Sequence, residues 1–341
     1  MALHRPMTPA VQFEILDLRH FSANSLRPVL DQEVRLWNER LRWSYRASAD
    51  LLLQYLDSRV LPGFVAMEDG RVSGYVFCVY EENKAVIGDA FAIPSRHGAQ
   101  SATEIELRLL EHVIDLLINS PGIDRIESQL LLHPHGAHAS AFERVGFEIF
   151  PRLFMERDLT PSFAGLVADE NLSFASRPLP AGFELRGWHD EDFTPAGRLI
   201  SACYEGHLDS RINDQYRSVA GSLRFLHNVV RFPGCGTFDP LASKTIVKTG
   251  SKELAGILLC SRVRSDVAHI TQICVDRAHR GLGLGTLLLK ACASELRKRR
   301  CCSLTLTVTD GNIEAVSLYK TQRFHTKHMF DAMVWNEKKG S

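Results

Sequence analysis

One order of apolar patterns runs through this chain twice. Residues 13–159 and 183–337 each open on a short strand-like segment, FEIL and FELR, and pass into helical patterns, of which LRPVLDQEVRLWNERL and QYRSVAGSLRFLHNVV are the clearest. Each then reaches a strand meander, FVAMEDGRVSGYVFCVY or TIVKTGSKELAGILLCSRV, in which turn residues separate the apolar runs as a hairpin requires. A further strand follows (AVIGDAFAI, AHITQICV), then a loop, an amphipathic helix, a strand (RIESQLLL, SLTLTV), a short helix and a last strand (RLFMERDL, HMFDAMVW). Strands and helices mixed in this way define a mixed α/β (α+β) class with a mixed sheet. A repeat this long argues for paired domains rather than a solenoid; two unrelated α/β domains are the alternative.

Between the copies lies TPSFAGLVADENLSFASRPLPAG, rich in Pro, Ser, Ala and Gly and without a clean period, which is linker composition. The expected organisation is a first domain over 1–159, a linker over 160–182 and a second domain over 183–341.

Composition narrows the function classes. Lys plus Arg and Asp plus Glu both number 40, so the basic excess that replaces counterions on nucleic-acid phosphates is missing and no nucleic-acid partner is expected. The eight cysteines include no CxxC pair, and several stand in apolar runs such as GILLCSRV and ITQICVD, where cysteine acts as a small buried hydrophobe. Reduced thiols fit this pattern better than a disulfide framework or structural zinc. MALHRPMTPAVQFEIL lacks the apolar core of a signal peptide, and no run approaches the roughly 18 apolar residues of a membrane span. A cytoplasmic protein with no membrane partner is the expectation, with a homodimer left open.

The chemistry concentrates in ICVDRAHRGLGLGTLLLKACASEL, residues 273–296. An apolar strand ends, a basic loop carries glycines at alternate positions, and a leucine-rich helix begins. Such a loop delivers backbone N–H groups at a helix N-terminus, a ready anion site, while Arg280 adds charge-assisted hydrogen bonds. The expected ligand is a pyrophosphate. A GxGxxG dinucleotide fingerprint fails, because Thr286 or Leu288 stands where its third glycine belongs, and the Gly-Lys-Ser/Thr of a P-loop is absent.

Arg280-Gly281-Leu282-Gly283-Leu284-Gly285 resembles, position by position, the acyl-CoA loop R/Q-x-x-G-x-G/A of the GNAT superfamily of N-acetyltransferases. The likeness continues through SLTLTVTDGNIEAVSLYKTQRF, where Asn312 and Tyr319 stand at the family's asparagine and tyrosine, although Arg323-Phe324 replaces the usual Gly-Phe. It covers roughly 183–337 by motif and 12–159 by pattern only. The resemblance implies acetyl-CoA as co-substrate, held by Cys274, Val275, Arg280 to Thr286 (Arg280, Gly281, Leu282, Gly283, Leu284, Gly285, Thr286), Asn312 and Tyr319, and direct attack of a primary amine of a small molecule or peptide on its thioester. Tyr319 is the candidate acid and His269, Glu205 or His207 the candidate base. Tyr204, Asp209, Asn213, Asp214 and Tyr216, crowded into CYEGHLDSRINDQYRS, are the candidate acceptor residues. The paired layout is similar to that of the mycothiol synthases, in layout only. A non-catalytic acyl-CoA sensor or scaffold is the rival reading.

The first copy reads as degenerate. Setting Ile93 against Val275 places Gly98, Ser101 and Thr103 where the second copy has Arg280, Gly283 and Gly285, and adds Glu104 and Glu106 early in the helix; further on, setting Phe147 against Phe324, with a small deletion between, leaves Phe142 opposite Tyr319. HPHGAHAS, from His133, carries three histidines and is read as a surface loop. No metal is expected.

Overall fold

A computed structural model describes residues 13–95, 100–160, 178–231 and 236–337. By their contacts the residues fall into two compact units, one comprising 1–36, 49–149 and 333–341, the other 37–48 and 150–332. Residues 37–48 and 150–159 therefore cluster with the second unit and 333–341 with the first, while most of the expected linker lies outside the described residues.

In the first copy the elements run β1 (Phe13–Asp17), α1 (Ala23–Leu41), α2 (Arg46–Asp57), β2 (Gly63–Glu68), β3 (Arg71–Glu81), β4 (Lys84–Ala92), α3 (Ala102–Ile118), β5 (Arg125–Gln129), α4 (Ala139–Glu143) and β6 (Glu148–Asp158). The second gives β7 (Phe183–Gly187), α5 (Phe193–Tyr204), α6 (Asp209–Ile212), α7 (Val219–Arg231), β8 (Thr237–Phe238), β9 (Lys244–Lys248), β10 (Leu254–Arg264) and β11 (Val267–Val275). It closes with α8 (Leu284–Lys298), β12 (Ser303–Thr309), α9 (Ile313–Thr321) and β13 (His325–Asn336). Among the described residues no helix is long and apolar enough to cross a membrane.

The first unit orders its strands β1-β2-β3-β4-β5, antiparallel up to the parallel pair β4/β5. Its core packs Ile105, Leu109, Val113 and Leu117 of α3 against Ala66, Val76, Ala85 and Ile87 of the sheet. The helix begins at a capping box, Ser101 with Glu104, so Glu104 satisfies backbone donors at the helix start. Residues 96–99 of the preceding loop, Gly98 among them, lie outside the described residues. His133 and His138 are buried, at 8% and 4% exposure, which corrects the expectation of a surface loop. Their polar rings are turned inward onto Glu106, which is itself 5% exposed.

The second unit orders β6-β12-β11-β10-β9-β7, with β8 beside β10 and β13 beside β6. Alternation along β10 divides its core in two. Leu258 and Cys260 face Leu287, Leu288 and Cys292 of α8, while Ile257 and Leu259 face Ile200 of α5 and Leu226 of α7. Cys260 and Cys274 are buried small side chains, as their apolar runs suggested; Cys235 lies outside the described residues. The parallel pair β11/β12 is the element that positions the site.

Candidate active site

The β11/β12 ladder runs from Val267↔Ser303 to Ile270↔Leu306 and stops, although β11 continues to Val275 and β12 to Thr309. Beyond that last pair the strands diverge, and a cavity of about 280 Å³ opens between them, lined by Thr271–Val275 on one side and Leu306–Val308 on the other. On the β11 edge that β12 no longer covers, main-chain groups face this space. The first unit shows the same divergence, since β4/β5 pairing ends at Ile87↔Ser128 while β4 runs on to Ala92.

At the mouth stands the glycine loop. Asp276 accepts from the Ala278 amide (2.8 Å) and shapes a short turn over Arg277–His279. Gly281 (φ 77°) and Gly283 (φ 82°) then take the left-handed conformation that a side chain disfavours. Gly283 is the N-cap of α8; no side chain caps it, and the first turn carries no acidic residue. The leading N–H groups of α8 are thus left to an external acceptor, and the helix dipole favours an anion there. Arg280 lines the same cavity.

The inner wall is polar and largely occupied by aromatic stacking. Tyr204 stacks on Tyr216 (ring centroids 4.3 Å apart) and meets His207 edge-on at 5.1 Å. The Tyr216 hydroxyl donates to Gln272 Oε1 (3.3 Å), while Gln272 Nε2 is buried without a hydrogen-bond partner. Arg152 of β6 reaches Thr307 and leaves its buried Nε equally unpartnered. Orphaned buried donors are costly, and two of them belong to residues that line this one cavity. The Tyr319 phenol is pushed well above its ordinary range, first by burial and then by the Asp209 carboxylate, so it stays protonated at neutral pH. Burial, then Tyr216 and Asp209, does the same to Tyr204.

His207 is placed unusually for a surface-turn histidine. Its Nδ1 accepts from the Asp209 amide (3.1 Å), and its Nε2 lies 3.4 Å from the Asn312 side-chain nitrogen, whose own Oδ1 caps α9 at Ala315. Both ring nitrogens therefore face donors. A neutral ring has one lone pair and accepts at one nitrogen only; with the Nδ1 proton turned to the Asp209 carboxylate (3.7 Å) instead, the Nε2 lone pair is left to accept.

Of the residues singled out from sequence, the structure gathers Tyr204, His207, Asp209, Tyr216, Cys274, Val275, Arg280, Gly285, Asn312 and Tyr319 around this one cavity. Gly281, Leu282, Gly283, Leu284 and Thr286 form the loop and first turn beside it, with Leu282 solvent-exposed and Leu284 buried in the core. Four others stand apart. Glu205 ends α5 in solvent and offers its carbonyl to Arg277. Asn213 and Asp214 belong to a short turn that Asn213 caps through the Gln215 amide (3.0 Å). His269 is the plainest correction. Its ring sits against Trp43 and Phe154 (centroids 4.7 and 6.2 Å), bonds Thr305 Oγ1 (2.9 Å), and is driven down to a pKa of about 3 by burial and then by Arg152. It packs the core behind the site. Conversely, Gln272, Arg152, Cys203, Thr307 and Glu314 line the cavity without having been named as site residues.

Residues 214–324, within the second unit, match the model of the Acetyltransferase (GNAT) family. No curated protein sequence matches the chain. Among solved structures the chain is similar to a GCN5-related N-acetyltransferase from Sphaerobacter thermophilus (15% identity, TM-score 0.62, 96% of this chain and 97% of that one). It is also similar to a tandem GNAT protein from the clavulanic acid biosynthesis pathway (16% identity, TM-score 0.58, 97% and 100% covered). A third likeness is to a GCN5-related glucosamine N-acetyltransferase region of a fungal multi-domain GH3 β-N-acetylglucosaminidase (13% identity, TM-score 0.59, 96% of this chain and 38% of that one). At these identities the likeness is one of fold, and it extends over both copies.

Proposed function

We propose that the protein transfers an acetyl group from acetyl-CoA to a primary amine, using the cavity of the second unit, and that the first unit has no part in the chemistry. The observation that carries this reading is the coincidence of three features at one place: the diverging β11/β12 pair, the uncapped N-terminus of α8 behind two left-handed glycines, and buried donors without partners. The α8 amides and Arg280 suit a pyrophosphate, and the gap between the strands suits a slender pantetheine arm ending in a thioester. Acetyl-CoA supplies the activated acyl group; the remaining tasks fall to this chain. A backbone N–H on the uncovered edge of β11, near Cys274, stabilises the oxyanion formed as the amine attacks. With its Nδ1 proton turned to the Asp209 carboxylate, His207 takes at Nε2 the proton that the amine must lose. Tyr319, kept protonated, gives a proton to the departing CoA thiolate.

A calorimetric titration with acetyl-CoA, followed by an amine screen reading free CoA thiol, tests this. One site per chain and amine-dependent thiol release are expected. Binding without release for any amine would leave a non-catalytic acyl-CoA sensor, and the absence of binding would remove the reading altogether.

A further inference from the structure

The first unit contains a constellation that acetyl transfer does not use. Glu106 lies in the second turn of α3, His133 follows β5, and His138 immediately precedes α4. All three are buried, and one ligand atom from each falls within 4.8 Å of the others. Glu106 Oε2 is 3.2 Å from His138 Nε2 and 3.6 Å from His133 Nδ1.

Glu106 and His133 are held in the orientation a ligand needs. The Ala92 amide donates to Glu106 Oε1 (3.0 Å), which fixes the carboxylate and leaves Oε2 turned inward. His133 Nε2 bonds the Ala90 carbonyl (2.8 Å), and a carbonyl accepts only; the proton therefore sits on Nε2 and the Nδ1 lone pair points at Glu106. A backbone carbonyl behind one ring nitrogen is the usual way of orienting a metal-binding histidine. His138 stands at the N-cap of α4 without capping it, and neither of its ring nitrogens has a hydrogen-bond partner despite its burial. Its Nε2 approaches Oε2 without the line of an N–H donor, so a proton shared along that contact does not account for the arrangement.

A buried carboxylate facing two imidazole nitrogens is stabilised by a cation held among the three groups. We propose that Glu106, His133 and His138 bind a divalent transition-metal ion, best matched by Zn²⁺. Tetrahedral zinc with bonds of about 2.0–2.1 Å separates its ligands by roughly 3.3 Å, and the two separations from Oε2, 3.2 and 3.6 Å, bracket that edge. Two imidazoles and one carboxylate suit zinc better than the all-oxygen shells of Mg²⁺ or Ca²⁺. The ion ties the segment after β5 to the end of β4 and the start of α3, across the divergence of β4 and β5. In the second unit the equivalent divergence is left open as the cavity. The metal is thus a clasp that closes the first unit where the second is built to take a ligand.

The test uses the full-length, tag-free protein, stripped with a chelator and titrated with ZnCl2 by calorimetry, with metal content measured before stripping. One tightly bound equivalent and a higher melting temperature on zinc addition are expected in the wild type, with affinity weakened by at least about 100-fold in His138→Ala and Glu106→Gln. Should those variants fold poorly, Co²⁺ on the wild-type protein gives an independent reading. A visible spectrum of tetrahedral nitrogen and oxygen ligation, abolished by one equivalent of Zn²⁺, is the expected result. Absence of both zinc and cobalt binding overturns the assignment, as does zinc binding of unchanged affinity in a folded His138→Ala variant.

Discussion

At the scale of the residue, two histidines of the second unit have opposite characters, and each yields a prediction. His207 lines the cavity, with Nδ1 accepting from the Asp209 amide and Nε2 near the Asn312 side-chain nitrogen, which makes it the candidate base. Replacing it by Gln keeps a polar group of similar reach but removes the base. A loss of about 10²–10⁴-fold in kcat is expected, with little change in acetyl-CoA affinity; kcat within a few-fold of wild type in steady-state assays would move the base elsewhere. His269, by contrast, is a packing residue whose folded pKa of about 3 lies below the ordinary histidine value of 6.5 because burial disfavours its charged form. Between those two values the unfolded chain binds a proton that the folded chain refuses, so stability is greatest above pH 6.5 and falls as pH drops through the window. The slope is at most about 1.4 kcal/mol per pH unit from this group. Urea unfolding of the wild type and of His269→Gln between pH 4 and 7 should show a shallower dependence in the variant. Identical slopes would mean that His269 is not a buried neutral group.

At the scale of the element, the N-terminus of α8 is where sequence and structure meet most directly. Gly283 is left-handed and uncapped, so a glutamate there both strains the turn and sets a carboxylate against the proposed pyrophosphate. Gly283→Glu should raise the Kd for acetyl-CoA by at least about tenfold, equivalent to ~1.4 kcal/mol, while the cooperative melt is retained; unchanged affinity by calorimetry would sink the loop assignment. This element was legible because everything it needs is local: an arginine, glycines at alternate positions and a helix behind them. Arg152 was not, because it reaches the cavity through a pairing with Thr309 that joins distant parts of the chain. The same holds for Glu106 with His133 and His138. Three histidines in a polar loop look solvated until a helix supplies the buried carboxylate that two of them face, and no periodicity announces that meeting. His269 was misleading for the reverse reason. A polar residue on a strand invites a catalytic role, and only its aromatic neighbours, Trp43 and Phe154, both from the first copy, reveal it as core.

At the scale of the whole molecule, the composition of the second unit decides what a cut in the chain would do. The composition shift at 160–182 invites the view that residues 178–341 stand alone, yet the second unit also takes in 37–48 and 150–159. Strand β6 covers β12 along its full length, from Ser303↔Asp158 to Thr309↔Arg152. Within that ladder Glu156 accepts from the Ser303 hydroxyl (2.5 Å) and the Lys327 ammonium (2.8 Å), and it pairs with Arg42 (3.3 Å). The Ser44 amide bonds the Val263 carbonyl (2.9 Å), and Trp43 covers His269. A chain starting at residue 178 loses all of this. The departing side chains include the buried Trp43, Leu153, Phe154 and Met155. At roughly 1.5–3 kcal/mol for each buried apolar side chain the loss is on the order of 10 kcal/mol, comparable with the whole stability of a typical domain. The edge of β12 is also left bare and able to pair with another chain. Residues 178–341 should therefore express as insoluble or non-cooperatively melting protein that does not bind acetyl-CoA, although they contain the entire glycine loop. A cooperative thermal transition and wild-type acetyl-CoA affinity in that fragment would show that the first copy's contribution to the second unit is dispensable. The expected failure instead gives the first copy a role that needs no chemistry of its own, since it furnishes the strand and the aromatic cover on which the second unit's site is built.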